Sequence, residues 1–252
     1  MGKNKLTKFA EVERLPNVIQ CGARDFSDNP QATDIKGNWS QKFFHNNNPI
    51  VLELGCGKGE YTVALAQMYP DKNFIGIDIK GARIWSGAKY AHENNLSNVG
   101  FLRTNIEFIN AFFAPEEVSE IWITFPDPQM KKCNKRLTST NFMKRYQDIL
   151  VNNGLIHLKT DSNFLFLYTK AMVEENEYKV ECCTDNLYVE RKDDPLLQIK
   201  TYYEQQWLSR GIDIKYISFH LHRKEDFVEP DIDIERDDYR SFGRNARVVT
   251  NE

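Results

Sequence analysis

From Pro49 onward the chain alternates short apolar runs with stretches of helical period, and that alternation restricts its fold more than any other feature. The run 49–54 is apolar and ends at Gly55; the stretch 61–69 then places Val63, Leu65, Ala66 and Met68 in one apolar set. Strand-like runs recur at 73–79, 99–103, 120–125, 154–160, 178–184 and 214–222. Helical stretches at 82–95, 105–113, 139–151, 163–176 and 201–210 separate them. Strands joined through helices of this length pair in parallel, with the helices covering both faces of the sheet. The helix-poor return into 214–222 admits one antiparallel strand. The expected fold is therefore α/β: a doubly wound, Rossmann-like, seven-stranded and mostly parallel sheet with one antiparallel strand and helices on both faces. Residues 1–48 read as an N-terminal arm, 49–223 as the domain and 224–252 as an acidic tail, solvated or lightly docked.

Composition excludes several classes. No apolar run approaches the roughly 18 residues of a membrane helix, and the basic N-terminus lacks the apolar core of an export signal. The five cysteines are odd in number and form no C-x-x-C pair, which fits reduced thiols and a cytoplasmic location. His220 and His222 share one face of a strand but find no further metal ligands, so no metal is expected. The net charge of −3 is unevenly placed: residues 224–252 hold nine acids against five bases, leaving the rest of the chain slightly positive. A near-neutral body with a local basic patch still attracts nucleic acid, because the contact surface sets the field.

Four stretches carry candidate chemistry. Glu53 and the glycines of Gly55-Cys56-Gly57-Lys58-Gly59 lie where a strand turns into a helix. Such a turn lets a ligand approach the backbone, or lets a helix pack tightly. A dinucleotide fingerprint needs glycine at residue 60, where this chain has Glu60, so a nicotinamide-dependent dehydrogenase is disfavoured. Asp78, at the end of the second strand, is placed to accept from ribose hydroxyls. Asn105, after the third strand, suits either an adenine edge or a helix cap. After the fourth strand, Phe125-Pro126-Asp127-Pro128 holds an acid between two prolines, which fix φ and remove donors. Lys131, Lys132, Lys135 and Arg136 follow it, forming either a phosphate grip or a solvated charge run.

In order, LELGCGKGEYTVALA, GIDI, RTNI, TFPDP with KK and NKR, LKTD and T-x-Y-E resemble the bacterial tRNA (guanine-N7-)-methyltransferase family within the class I S-adenosylmethionine-dependent methyltransferases. These motifs span residues 50 to about 221; the glycine turn is shared across the superfamily, whereas the FPDP-basic segment is specific to the family. The resemblance implies transfer of a methyl group from S-adenosylmethionine to N7 of a guanine in tRNA, at position 46 of the variable loop, by a cytoplasmic monomer or homodimer. It places Glu53, Gly55, Gly57, Asp78, Asn105 and Asp127 at the methyl donor, with Asp127 also catalytic. Lys131, Asp161, Thr201, Tyr202, Tyr203 and Glu204 fall on substrate positions, Thr201 and Glu204 being expected over the Watson–Crick edge of the base. Lys132, Lys135 and Arg136 become RNA contacts. Two departures stand out: Gln129-Met130 and Cys133-Asn134 replace a Trp and a His common in the family, and Asn105 replaces a commoner Asp. The remaining alternatives are a non-catalytic RNA-binding module on the same scaffold and a same-fold methyltransferase with another substrate.

Overall fold

A computed structural model describes residues 3–21 and 34–238; the arm's residues 22–33 and the tail's 239–252 lie outside it. Eight strands form a single sheet in the order β1-β4-β3-β2-β5-β6-β8-β7. They are β1 (Val18–Gln20), β2 (Ile50–Leu54), β3 (Asn73–Asp78), β4 (Val99–Arg103), β5 (Val118–Thr124), β6 (Leu150–Thr160), β7 (Lys179–Thr184) and β8 (Lys215–Leu221). The α-helices are α1 (Lys3–Val12), α2 (Glu60–Met68), α3 (Gly81–Glu93), α4 (Thr140–Gln147), α5 (Asn163–Glu175) and α6 (Tyr202–Leu208), with single helical turns between several of them.

The central strand β2 is buried along its whole length, so it reads as a continuous apolar run interrupted only by Glu53. It pairs in parallel with β3 on one side and β5 on the other. The chain therefore winds outward from β2 through β3 and β4, then jumps back to β5. That reversal is a topological switch point, where a crevice opens beyond the carboxyl ends of the strands. One face of the sheet packs on α4 and α5, with Phe142, Tyr146, Leu165 and Met172 fully or almost fully buried. The other face buries Tyr61, Leu65, Ile84 and Ala88 of α2 and α3.

The expected mostly parallel sheet with one antiparallel strand is present, β8 running against both β6 and β7. The sheet has eight strands rather than seven. Val18–Gln20 of the arm pairs in parallel with Phe101–Arg103 and covers the β4 edge, which would otherwise present unpaired backbone groups. α1 lies on α3, where the Trp85 indole donates to Glu11 at 2.6 Å and the Lys8 ammonium sits 4.3 Å from the Trp85 ring. The helix read over 139–151 stops earlier. Residue 150 already pairs with Val118, and Asn153 takes a left-handed φ of 60° as β6 starts. Among the described residues no helix is long and apolar enough to cross a membrane, and no group of His, Cys, Asp and Glu is arranged to hold a metal ion.

The tail up to residue 238 is bound to the domain at specific points. The Asn176 side chain donates to the Val228 carbonyl and accepts from its N–H. Glu229 accepts from Cys133 Sγ, from the Thr140 hydroxyl at 2.6 Å and from the Tyr168 hydroxyl. Asp237 receives the Ser162 hydroxyl and the Phe164 N–H at the start of α5. Burial pushes the Glu229 carboxyl up, but these donors outweigh it and its net shift is downward. Glu229→Ala removes the acceptor of these donors and of the Thr140 N–H and, the site being partly open to water, should cost about 1 kcal/mol of stability, read as a lower calorimetric midpoint.

Candidate active site

The site begins with Glu53, an acid in the middle of an apolar strand. Its carboxylate is buried and accepts from the Thr62 N–H at 2.8 Å, from the Thr62 hydroxyl, and from the Thr124 hydroxyl at 2.6 Å. Burial raises its pKa to about 7, with the three hydrogen bonds opposing that rise and Asp78 adding to it. Glu53 is therefore poised to change charge near neutrality, a property that burial produces at functional sites.

Beyond β2 the backbone turns through Gly55, Gly57 and Gly59, all at positive φ of 56–78°, a region costly for any residue with a Cβ. Their surroundings differ. A Cβ on Gly55 would meet nothing within 4 Å, and one on Gly57 only a carbonyl at 3.9 Å. A Cβ on Gly59 would strike the Phe101 ring at 2.6 Å. The first two thus open a backbone cradle onto empty space, while the third permits close packing of α2 on the sheet. Room for a ligand and close packing thus belong to different glycines of the turn.

Asp78 fastens that cradle: one oxygen accepts from the Gly57 N–H at 3.0 Å and the other from the Lys80 N–H at 2.8 Å. Asn105 caps the turn Ile106–Ala111 through the Glu107 N–H at 3.2 Å, and its amide donates to the Glu107 carboxylate.

Across the switch point, β5 ends at Thr124 and the chain enters the Pro-Asp-Pro bend. Phe125 and Gln129 bracket it with φ of 48° and 47°, left-handed conformations that strain residues other than glycine. Two hydrogen bonds hold the bend: the Phe125 N–H to the Lys159 carbonyl at 2.8 Å, and the Gln129 N–H to Asp127 Oδ1 at 3.0 Å. Asp127 stays exposed. A cavity of about 540 Å³ lies between these elements, and Glu53, Gly55, Gly57, Asp127, Thr201 and Tyr203 of the expected residues line it. Asp78, Asn105, Lys131, Asp161, Tyr202 and Glu204 do not line it.

The basic run divides in two. Lys131 and Lys132 are exposed, and their side chains hold no hydrogen bond or ion pair among the described residues. Lys135 pairs with Glu107. Arg136 turns inward: its guanidinium lies 4.3 Å from the Tyr168 ring and 4.8 Å from Phe164, and it donates to the Gln129 and Met130 carbonyls at 3.3 Å. Here Arg136 braces the loop rather than facing solvent, because a planar guanidinium stacks on rings and bridges carbonyls at once. Asp161 is buried at the end of β6, beside the Ser162 cap of α5.

Glu204 departs most from expectation. It is fully buried, and its oxygens receive the Lys159 ammonium at 2.9 Å, the Tyr188 hydroxyl and the Thr201 N–H at 3.1 Å. Thr201 returns a bond from its hydroxyl to the Glu204 N–H, completing a capping box at the start of α6. In this structure Glu204 and Thr201 therefore anchor α6; Thr201 lines the cavity, whereas Glu204 does not. The cause is Lys159, a fully buried cation that needs a countercharge. Burial lowers its pKa and Glu204 opposes the fall. Reading the sequence did not single out Lys159, Thr62 or Thr124, since each is defined only by the partner that folding brings to it.

Comparison with known proteins gives this geometry a family. The family model described as "Putative methyltransferase" matches residues 47–217. A tRNA (guanine-N(7)-)-methyltransferase of Bacteroides fragilis is 59% identical, covering 98% of this chain and 97% of that protein. One of Porphyromonas gingivalis is 55% identical, covering 94% of this chain and 98% of that protein. Among solved structures, the 16S rRNA methyltransferase KamB superposes with a TM-score of 0.54 at 13% identity, covering 80% of this chain and 94% of that one, and so shares the fold. The chain belongs to the tRNA (guanine-N(7)-)-methyltransferase family.

Proposed function

We propose that the chain transfers a methyl group from S-adenosylmethionine to N7 of a guanine in tRNA, at position 46 of the variable loop. The observation that carries this reading is one cavity at the switch point, lined by an open glycine cradle, by Glu53 and by Asp127, in a member of this family. The cradle fits the methyl donor, since Gly55 and Gly57 expose backbone to space that a side chain would fill. When bound, S-adenosylmethionine supplies an electrophilic methyl group on a sulfonium.

The chain's part follows from the chemistry of guanine. N7 carries a lone pair and no proton, so nothing has to be removed before it attacks. The protein's work is to fix the angle and distance of approach. Asp127, rigid between its prolines, positions rather than deprotonates. Glu53 would hold the amino-acid end of the donor, Asp78 its ribose through the lone pairs that its two backbone bonds leave, and Asn105 its adenine edge. Asp161 supports the floor of the site from the end of β6. Lys131 and Lys132 hold the flanking phosphates, and Lys135 joins them only where it leaves its Glu107 partner. The target base leaves its stack to enter the cavity.

Transfer of labelled methyl to unmodified tRNA, followed by mapping of the labelled nucleotide, tests the proposal. Absence of label, or label at another atom, rejects it. The raised pKa of Glu53 gives a second expectation. An ammonium beside Glu53 favours its carboxylate, so binding releases a proton and weakens as pH falls through about 7. The calorimetric Kd for S-adenosylhomocysteine should rise about tenfold between pH 8 and pH 6, and Glu53→Gln should flatten that dependence.

A further inference from the structure

Helix α6 carries three aromatic rings, two of them at the cavity, and a cation lies near each. The Lys58 ammonium is 3.7 Å from the Tyr202 ring centre, the Arg83 guanidinium 5.6 Å from Tyr203 and the Arg210 guanidinium 5.1 Å from Trp207. All of these side chains except Tyr202 line the cavity. The cations come from three separate segments, namely the glycine turn, the first turn of α3 and the chain just beyond α6, so no charge run announces them. Lys58 and Arg83 hold no ion pair among the described residues. The adjacent acid, Glu60, is engaged with the Tyr202 N–H at 2.9 Å.

An exposed cation–ring contact contributes only about 0.5–1 kcal/mol, too little to account for three of them at one opening. Lys58 and Arg83, which hold no ion pair among the described residues, keep donors available at the opening. Cations interleaved with aromatic faces suit unpaired RNA, with phosphates meeting the cations and bases stacking on the rings. Pro128 and Met130, directly before Lys131 and Lys132 in the chain, also line the cavity. Positive charge at the cavity therefore does not follow from the chain's net charge of −3.

We infer that this rim is a second RNA contact. Lys58 and Arg83 grip phosphates next to the extruded guanine, in addition to those held by Lys131 and Lys132. Tyr203 offers a ring at the opening to a neighbouring unpaired base. The inference rests on the tRNA reading above and deepens it.

The test compares tRNA binding by the wild type and the Lys58→Gln/Arg83→Ala variant across a sodium chloride series, with S-adenosylhomocysteine affinity and thermal midpoint measured alongside. The variant should bind tRNA at least about tenfold more weakly near 0.1 M salt, and its slope of log K against log salt should be shallower by about 1.5, two contacts' worth. S-adenosylhomocysteine affinity should stay unchanged. Lys58→Arg/Arg83→Lys should keep the slope; if the double variant unfolds, Lys58→Gln alone should reduce it by about 0.7. Unchanged slope and affinity overturn the inference. An equal loss of S-adenosylhomocysteine affinity also overturns it, by assigning the cations to the methyl donor. Failure of the functional reading looks different: the wild type itself then transfers no methyl to tRNA.

Discussion

Asp127→Ala should lower methyl transfer to tRNA by at least about a hundredfold and leave the thermal midpoint within about 1 °C of wild type. Misplacing reacting groups by an ångström costs on that order, while an exposed side chain with one described hydrogen bond contributes little to folding. The bend around it persists without the carboxylate, since the two prolines and the Phe125 bond to Lys159 hold it. The pH profile separates two roles. A general base would supply a limb of the kcat/KM profile that disappears in the variant. A positioning acid predicts an unchanged shape at reduced height, with partial rescue by Asp127→Asn, which keeps an oxygen acceptor in place. Turnover of Asp127→Ala at the wild-type rate would remove Asp127 from the reaction altogether.

The parts of the molecule that depend on local pattern were legible in the sequence. The βα alternation, the glycine turn, Asp78 and the Pro-Asp-Pro bend each follow from period, conformational need or fixed φ within a few residues. What escaped depends on contacts between distant segments. Val18–Gln20 is three residues in an arm without period, and only the exposed edge of β4 makes it a strand. Arg136 sits in a run of charges that reads as solvated, yet two rings of α5 and two loop carbonyls draw it inward. The acidic tail has the composition of a solvated segment, but Glu229 and Asp237 find donors around α4 and α5. Charge alone does not tell whether a partner waits in the fold.

The Lys159–Glu204 pair carries the same point to a large energy. Neither side chain is exposed, and the pair ties α6 to the sheet under the cationic rim. Glu204→Ala removes the countercharge and half of the capping box, leaving an ammonium among two carbonyls and a phenol. Breaking a buried pair from one side costs about 3–5 kcal/mol, on the order of 10 °C in thermal midpoint for a chain of this size. The loss should depend on pH in a definite direction. Burial already holds the Lys159 pKa below its ordinary value, and without Glu204 the depression deepens. A lysine with a depressed folded pKa binds fewer protons folded than unfolded above that value, so the variant should regain stability as pH rises through it. Replacing both members, Lys159→Met with Glu204→Gln, removes the stranded charge and should recover most of the stability, because an apolar substitute for a buried ion pair is often neutral. Activity of that double variant then separates two roles for Glu204. If Glu204 only anchors α6, methyl transfer returns with the fold, and KM for tRNA approaches that of the wild type. If its carboxylate leaves Lys159 to take the edge of the guanine during turnover, the double variant is stable but inactive. Urea melts and steady-state kinetics on the same preparations distinguish them.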